Sequence, residues 1–580
     1  MLQQWIASAK ADEPVWLDDV SRVCAAADGC TPVVFELTLF DGKKRAFTRF
    51  FPSWSSEDER RFVREYLCAC VFNTLSALGG SCLTFYYDLQ NAPLDALIDE
   101  LDGLFRPEDA EECGYGKIVR EANRICAFLG RERFHFARRA LAEYEAQPPL
   151  PYSRAADLAQ TLHTTAACAD TRVCCGVDVG GTDIKLAVAA NGALVCTREY
   201  DWNPAEFPLV QQLIDPILLL TRLMRACAAD HIVNGAIGEG LQAALDKNTP
   251  DVVTLHAVEE AEARLGADIN VLDSVGLSFP DVVVRDAIVG GETPKTHGMR
   301  ANRALDYEAQ FARLTRLASA LETLCRAPGH VRVTNDGNMA AYTAAMELAH
   351  SERATLVQNG VFAHSLGTDL GAGWLNAGGE IPEYSLELYD SIVDLGSWVS
   401  RDYAPDDLRC VRNENSGLCT VRRYLGQAGV FRMAWNAEPA LLDGFTVRDG
   451  DKLLIRSAPE DMRKPCLEHI MAKAEQGDAA AEGIFRAVGR ALAHVTAEAA
   501  LLLEPETDMR FLFGRFVKRR RCFELICEGF AAVLPGVTLA AADSGLACTP
   551  LMRQLDAMPD VTVAQFGQAV GAVYYGLERR

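Results

Sequence analysis

Apolar residues recur along the chain at two spacings, and the change from one to the other divides it. In the N-terminal quarter, VVFELTLF (33–40) and RAFTRFF (45–51) flank Asp41-Gly42 and predict a β-hairpin. Helical spacing follows over 57–78, as in RRFVREYLCACVFNTL, and again over 117–146. Prolines in AQPPLPYSRA (146–155) then interrupt two helical patterns and predict a linker. Beyond residue 170, short apolar runs alternate with long helical patterns. Strands are predicted at 172–178, 186–190, 194–200, 274–279, 331–334, 361–366, 372–376 and 509–513. Helices are predicted at 208–229, 305–326, 338–350, 478–503 and 519–533. Such alternation predicts an α/β architecture of layered helices and sheet. No repeat of solenoid period interrupts it.

Two of the strand ends carry glycine-rich turns. VCCGV runs into DVGGTDIK (178–185), where Gly180 and Gly181 strip a tight turn of side chains and let backbone N–H groups approach a ligand. SLGTDLGAGWLNAGGE (365–380) repeats the arrangement after VFAH. Each turn alone reads equally well as a hairpin. As a pair, each with Gly-Thr after a strand, they suit the two ends of a polyphosphate. Between them, VRVTNDGNMAAYTAAMEL (331–348) ends a strand in Asn335-Asp336 and starts a helix of small residues. Either of those two side chains also makes a good helix N-cap.

Composition narrows the function. A chain of 580 residues is too long for one core and predicts several domains. Its 49 % apolar and 24 % charged content is that of a globular protein. A net charge of −23 argues against a nucleic-acid partner and against docking on an anionic membrane. The N-terminus lacks the charged segment and apolar core of a secretory signal, and no apolar run is long enough to span a bilayer. The 19 cysteines scatter through apolar segments, as in a reduced, cytoplasmic protein.

DVGGTDIK, GLSFPDVV, VTNDGNMAAYTAAMEL and GTDLGAGWLNAGG, in this order, resemble the successive signatures of the ROK family. That family groups sugar kinases with sugar-responsive repressors on the actin-like ATPase (ribonuclease H-like) fold. The resemblance covers about 172–580 and implies two α/β lobes, 171–350 and 351–580, behind an N-terminal α+β extension, 1–150. It implies ATP and magnesium as cofactors and a small-molecule sugar as substrate, and it allows a homodimer. Asp178 would orient magnesium through water. Gly180, Gly181 and Thr182, with Lys185 beside them, would line the first phosphate turn. Gly367, Thr368, Gly371 and Gly373 would line the second. Asn335 would bind a sugar hydroxyl, and Asp336 would be the catalytic general base. SLELYDSIVD (385–394) resembles the family's sugar-binding segment and places its glutamate at Glu387.

The departures from the family pattern are specific. Asp390 stands where the family has a histidine that touches sugar and, in many members, zinc. Only Cys410 and Cys419 remain of the cysteine cluster, so no zinc is expected. Asp369 replaces a glycine of the second phosphate turn, and a carboxylate there repels phosphate unless a cation intervenes. In FLFGRFVKRRR, Gly514-Arg515 replaces the Gly-Gly pair that lies against adenosine. The four cations Lys518–Arg521 open a predicted helix, either as an anion-binding edge or as a patch paired with acidic neighbours. Two readings result: a sugar kinase, or a non-catalytic sugar or nucleotide sensor or scaffold with a degenerate site.

Overall fold

The computed structural model describes residues 1–106, 114–146, 152–327, 329–541 and 547–578. They divide into two compact units. The first comprises 1–151, 364–372 and 384–541; the second comprises 152–363, 373–383 and 542–580.

In the second unit, VCCGV and SVGLSF are apolar on both faces, as strands covered on both sides of a sheet must be. Five strands form that sheet in the order His330–Asn335, Ser274–Phe279, Val173–Val179, Asp183–Ala190, Ala193–Asp201. The first three in the chain make an antiparallel meander, 173–179 to 183–190 to 193–201. Ser274–Phe279 then joins Val173–Val179 in parallel, and His330–Asn335 extends the sheet in the same sense. This is the strand order of the actin-like ATPase lobe, and the fold class is α/β of that kind. Gly176 and Gly276 are register neighbours in the sheet. A Cβ on Gly176 would stand 2.0 Å from the Ala569 carbonyl, and one on Gly276 1.9 Å from that of Ala572. Both glycines therefore let the helix Val563–Leu577 lie directly on the strands. The parallel strands bring Asp178 and the Asn335-Asp336 pair to one edge, where ligands of α/β sheets bind.

The first unit holds two sheets. Thr31–Thr38 pairs antiparallel with Lys44–Phe51 and Cys82–Tyr87, and His135–Ala140 adds in parallel to Cys82–Tyr87. The hairpin sits where expected, with Gly42 at φ 89°. The helix Glu57–Leu78 buries nearly its whole C-terminal half, and Ser56 and Glu59 close its N-terminus as a reciprocal capping box. The second sheet runs Leu370–Leu375, Val361–Leu366, Met509–Phe513, Thr538–Ala541. The turn end of its hairpin, 364–372, belongs to this unit.

Two expected helices come out differently. The pattern over 117–146 is a helix only at Gly116–Phe128; Gly130, at φ 66°, ends it, and His135–Ala140 is a strand. Phe134 and Phe136 alternate with polar neighbours there, a period of two that the surrounding arginines and glutamates obscured. The pattern over 305–326 is two short helices, Tyr307–Leu314 and Leu317–Glu322. Thr315 at the break donates to the Phe311 carbonyl (3.3 Å), a back-bond that bends helices. The strands Cys82–Tyr87 and Thr538–Ala541 were not foreseen. Half of the expected linker, 147–151, lies outside the described residues. Among the described residues no helix is long and apolar enough to cross a membrane.

Candidate functional site

The expected site residues fall into the two units. In the second unit, Asp178 is the penultimate residue of its strand, and the turn after it is closed by Gly180 N–H donating to the Asp183 carbonyl (2.7 Å). Trp202 clamps the turn: its backbone N–H donates to the Thr182 carbonyl (3.0 Å) and its indole to that of Gly180 (3.1 Å). The ends of Gly181 and Thr182 remain exposed. Lys185 turns to Asp183 in an ion pair. A cation that sequence reasoning missed also reaches the turn: Lys295 Cε lies 3.4 Å from where a Gly181 Cβ would stand. TPKTHG, its surroundings, carries no recognisable motif.

At the neighbouring strand end the capping question has a definite answer. Asn335 is the N-cap of the helix Asp336–Ala349; its Oδ1 accepts from Gly337 N–H (2.8 Å) and its Nδ2 donates to the Asp281 carbonyl (3.0 Å). Asp336 is the first helical residue, half-buried, and its carboxylate also accepts from Gly337 N–H (2.8 Å). Burial pushes the Asp178 carboxyl up to about 6; the Ser278 hydroxyl and Lys185 pull it back, and the nearby Asp336 charge adds to the rise. A buried carboxylate with a second carboxylate near it makes a natural seat for a divalent cation. Magnesium keeps most of its waters and takes one or two carboxylates, so Asp178 beside Asp336 fits it. Gly373 serves packing here. A Cβ on it would meet the Gly337 carbonyl at 1.8 Å, and Trp374 N–H donates to Asn338 Oδ1 (3.0 Å).

In the first unit the second glycine turn is Gly367–Asp369, with Gly367 N–H donating to the Asp369 carbonyl (3.2 Å). Gly371 stands in the strand that follows. The Gly367 and Thr368 carbonyls both accept from Gln427 N–H (3.0 and 3.1 Å), and the space over Gly367 is open. Asp369 is balanced by the chain itself: Arg422 Nε donates to its carboxylate. Gly514, at φ 95°, is pressed against Leu366, with 2.3 Å from a would-be Cβ to its carbonyl. Arg515 follows, half-buried and without an ion pair among the described residues. In the basic run beyond it the three arginines are paired within the chain, and Lys518 is exposed. Arg519 meets Glu468 and Glu475, Arg520 meets Glu524, and Arg521 meets Glu482.

The segment with Glu387 and Asp390 hangs on the N-terminal region. Leu386 and Glu387 donate their N–H groups to Ala77 and Ser76 at the end of the helix Glu57–Leu78 (3.1 and 2.9 Å). Lys117, buried in the helix Gly116–Phe128, forms an ion pair with Asp390 and lies 5.4 Å from the centre of the Tyr389 ring. Glu121, one turn on, is buried as well. Burial holds the Tyr389 phenol far above its ordinary range, and the Asp390, Glu387 and Glu121 carboxylates around it add to the effect. Asn413 Nδ2 donates to the other Asp390 oxygen (3.1 Å), and Arg422 Nη1 donates to Asn413 Oδ1 (3.2 Å). One polar chain thus runs Lys117, Asp390, Asn413, Arg422, Asp369. Both acidic departures from the family pattern lie on it, each with a cation of its own.

Neither family models nor curated proteins match the chain. Solved structures do. A ROK family glucokinase from Streptomyces griseus, in complex with glucose and AMPPNP, is 20 % identical, with TM-score 0.37 over 69 % of this chain and 98 % of that one. A ROK hexokinase from Thermus thermophilus is 15 % identical, with TM-score 0.36 over 70 % and 97 %. A ROK family transcriptional regulator, described as a homologue of the E. coli MLC protein, is 12 % identical, with TM-score 0.39 over 70 % and 79 %. The fold assignment stands on the strand order itself.

Proposed function

We propose that the chain is an ATP- and magnesium-dependent kinase of a sugar or sugar-like hydroxyl. The observation that carries the reading is the division of labour at one strand edge. Asn335 caps the helix, and Asp336, which shares the Gly337 N–H through one oxygen, has its other oxygen without a hydrogen bond among the described residues, near Asp178. In this reading Asp178 holds magnesium through water, and the metal supplies charge neutralisation of the phosphates. Gly180, Gly181 and Thr182, with Lys185 and Lys295 near, cradle one end of the polyphosphate. Gly367 and Thr368 cradle the other, and Gly514 with Arg515 takes the adenosine side. Asn335 and Glu387 hold sugar hydroxyls. Asp336 accepts the proton of the attacking hydroxyl, which asks for a carboxylate positioned within hydrogen-bond reach of it. Thr182→Tyr should fill the phosphate seat and abolish the thermal stabilisation that magnesium–ATP gives the wild type. A wild type that millimolar nucleotide does not stabilise would rule the reading out.

A second reading has a specific observation behind it. Both Asp390 oxygens are engaged within the chain, by Lys117 and Asn413, and Asp369 is engaged by Arg422. A site whose ligand positions are filled by internal partners suits a sensor that binds without turning over. Sugar binding with no phosphoryl transfer would select it.

A further inference from the structure

The 385–394 segment is held in place by more than the Ala77 and Ser76 carbonyls. Asn73 grips Ile392 with both ends of its amide: Oδ1 accepts from the Ile392 N–H (2.7 Å), and Nδ2 donates to the Ile392 carbonyl (2.9 Å). The loop 410–420 adds a further hold. Val421 N–H donates to the Ser391 carbonyl (2.8 Å), and Thr420 forms a β-bridge with Ile392. Within that loop Asn413 is fully buried. Its N–H donates to the Leu418 carbonyl, and its carbonyl accepts from Gly417 N–H (2.7 Å each). A side-chain amide has two donor and two acceptor positions, and here all four are taken. Oδ1 accepts from Asn415 N–H (2.8 Å) and Arg422 Nη1 (3.2 Å). Nδ2 donates to Thr420 Oγ1 (3.0 Å) and to Asp390 Oδ1 (3.1 Å).

Many members of the resembled family place zinc here, and the residues present do not fit it. The Asp390 oxygens are taken by Lys117 and Asn413, and Cys410 Sγ lies between the Tyr403 carbonyl (3.2 Å) and Arg412 N–H (3.3 Å). Among the described residues no three His, Cys, Asp or Glu side chains gather into a metal cage. We propose that Asn413 stands in for the metal, as a positioning residue of the sugar site. It fixes Asp390, the last residue of the single turn Leu388–Asp390, whose N–H donates back to the Glu387 carbonyl (3.1 Å). Through that turn it sets Glu387, and the proposal rests on the reading of Glu387 as a sugar ligand. A satisfied buried amide network specifies one arrangement, as a closed metal site does.

The test is calorimetric titration of the full chain with glucose, mannose, N-acetylglucosamine and N-acetylmannosamine and, separately, with magnesium–ATP. Asn413→Asp keeps the shape but sets a carboxylate against Asp390. It should weaken the bound sugar about tenfold or more and change magnesium–ATP affinity less than about twofold. Thr420→Val removes another partner of the same amide but spares the bond to Asp390, and should cost less than about threefold. If Asn413→Asp does not fold, Asn413→Ser, which adds no charge, carries the same expectation. Dialysis of the wild type against EDTA should leave sugar affinity unchanged. A folded Asn413 variant that binds sugar as tightly as the wild type overturns the proposal. So does an equal loss in Thr420→Val, an equal loss of magnesium–ATP, or an EDTA effect that zinc reverses. A wild type that binds a sugar through Asn413 but no magnesium–ATP supports the positioning role and overturns the kinase reading. A wild type that binds none of the four sugars overturns the proposal, whatever magnesium–ATP does.

Discussion

Lys117→Met removes one partner of the ion pair between the N-terminal region and the 385–394 segment. The two side chains are 6 % and 4 % exposed, so no water replaces the lost ammonium. Among the described residues, the Asp390 carboxylate would keep only the Asn413 N–H at 3.1 Å. Breaking a buried pair on one side costs about 3–5 kcal/mol, because the remaining charge is stranded. Divided by 1.36 kcal/mol per decade, that is roughly a 10²- to 5 × 10³-fold rise in the opening constant of the helix Gly116–Phe128. Met has nearly the length of Lys and keeps the apolar contacts of its stem, so packing loss is small. Adding Asp390→Asn removes the stranded charge and should recover most of the stability. Hydrogen exchange of peptides from 116–128, read by mass spectrometry, measures the opening directly. Protection within threefold of wild type in Lys117→Met would refute the reasoning. So would a double variant no better protected than the single one, since the penalty would then not be electrostatic.

Two further outcomes follow from other parts of the structure. Burial pushes the Glu578 carboxyl from 4.5 up to about 7, against the pull of Arg332 at 3.6 Å. The native state thus keeps a proton that the unfolded chain loses, and its contribution, of order 3 kcal/mol, is present below about pH 4.5 and lost as pH rises to 7. Urea midpoints at pH 5 and pH 8 should differ less in Glu578→Gln than in the wild type; an equal or larger difference contradicts this. Purified protein should carry well under one zinc per chain by elemental analysis. Burial pushes the Cys419 thiol up to about 12, so it is no ready thiolate, and Cys410 is engaged with the Tyr403 carbonyl (3.2 Å); one tightly held zinc would disprove this.

The second unit was legible because its strands are covered on both faces. VCCGV and SVGLSF are continuous apolar runs bounded by an acid, a proline or glycines. The glycine turns were legible for the same reason, since each ends such a run. The N-terminal region was harder. HFARRA is a sheet-edge strand whose arginines face out, and charged residues at irregular spacing look helical. The partners of the site were not legible at all. Lys117 and Asp390 are 273 positions apart, and Arg422 meets Asp369 across 53. The resemblance to the ROK family marked Asp369 and Asp390 as departures; only the fold supplies the cations that stand beside them. Asn335 and Asp336 could each have been the cap on sequence grounds, and the helix start decides between them.

The central claim is that the Asp178–Asp336 edge performs phosphoryl transfer to a sugar hydroxyl, and sugar-dependent ADP release by wild type and Asp336→Asn tests it most directly. The variant keeps the shape of the side chain and removes its proton acceptor, which as a general base is worth about 10²- to 10⁴-fold in rate. Since Asn335 provides the cap, helix stability should hardly change. The account predicts ADP release by the wild type with at least one member of a broad sugar panel, and its loss in Asp336→Asn with magnesium–ATP still bound. No sugar-dependent release by the wild type, or release that survives the substitution, would contradict it.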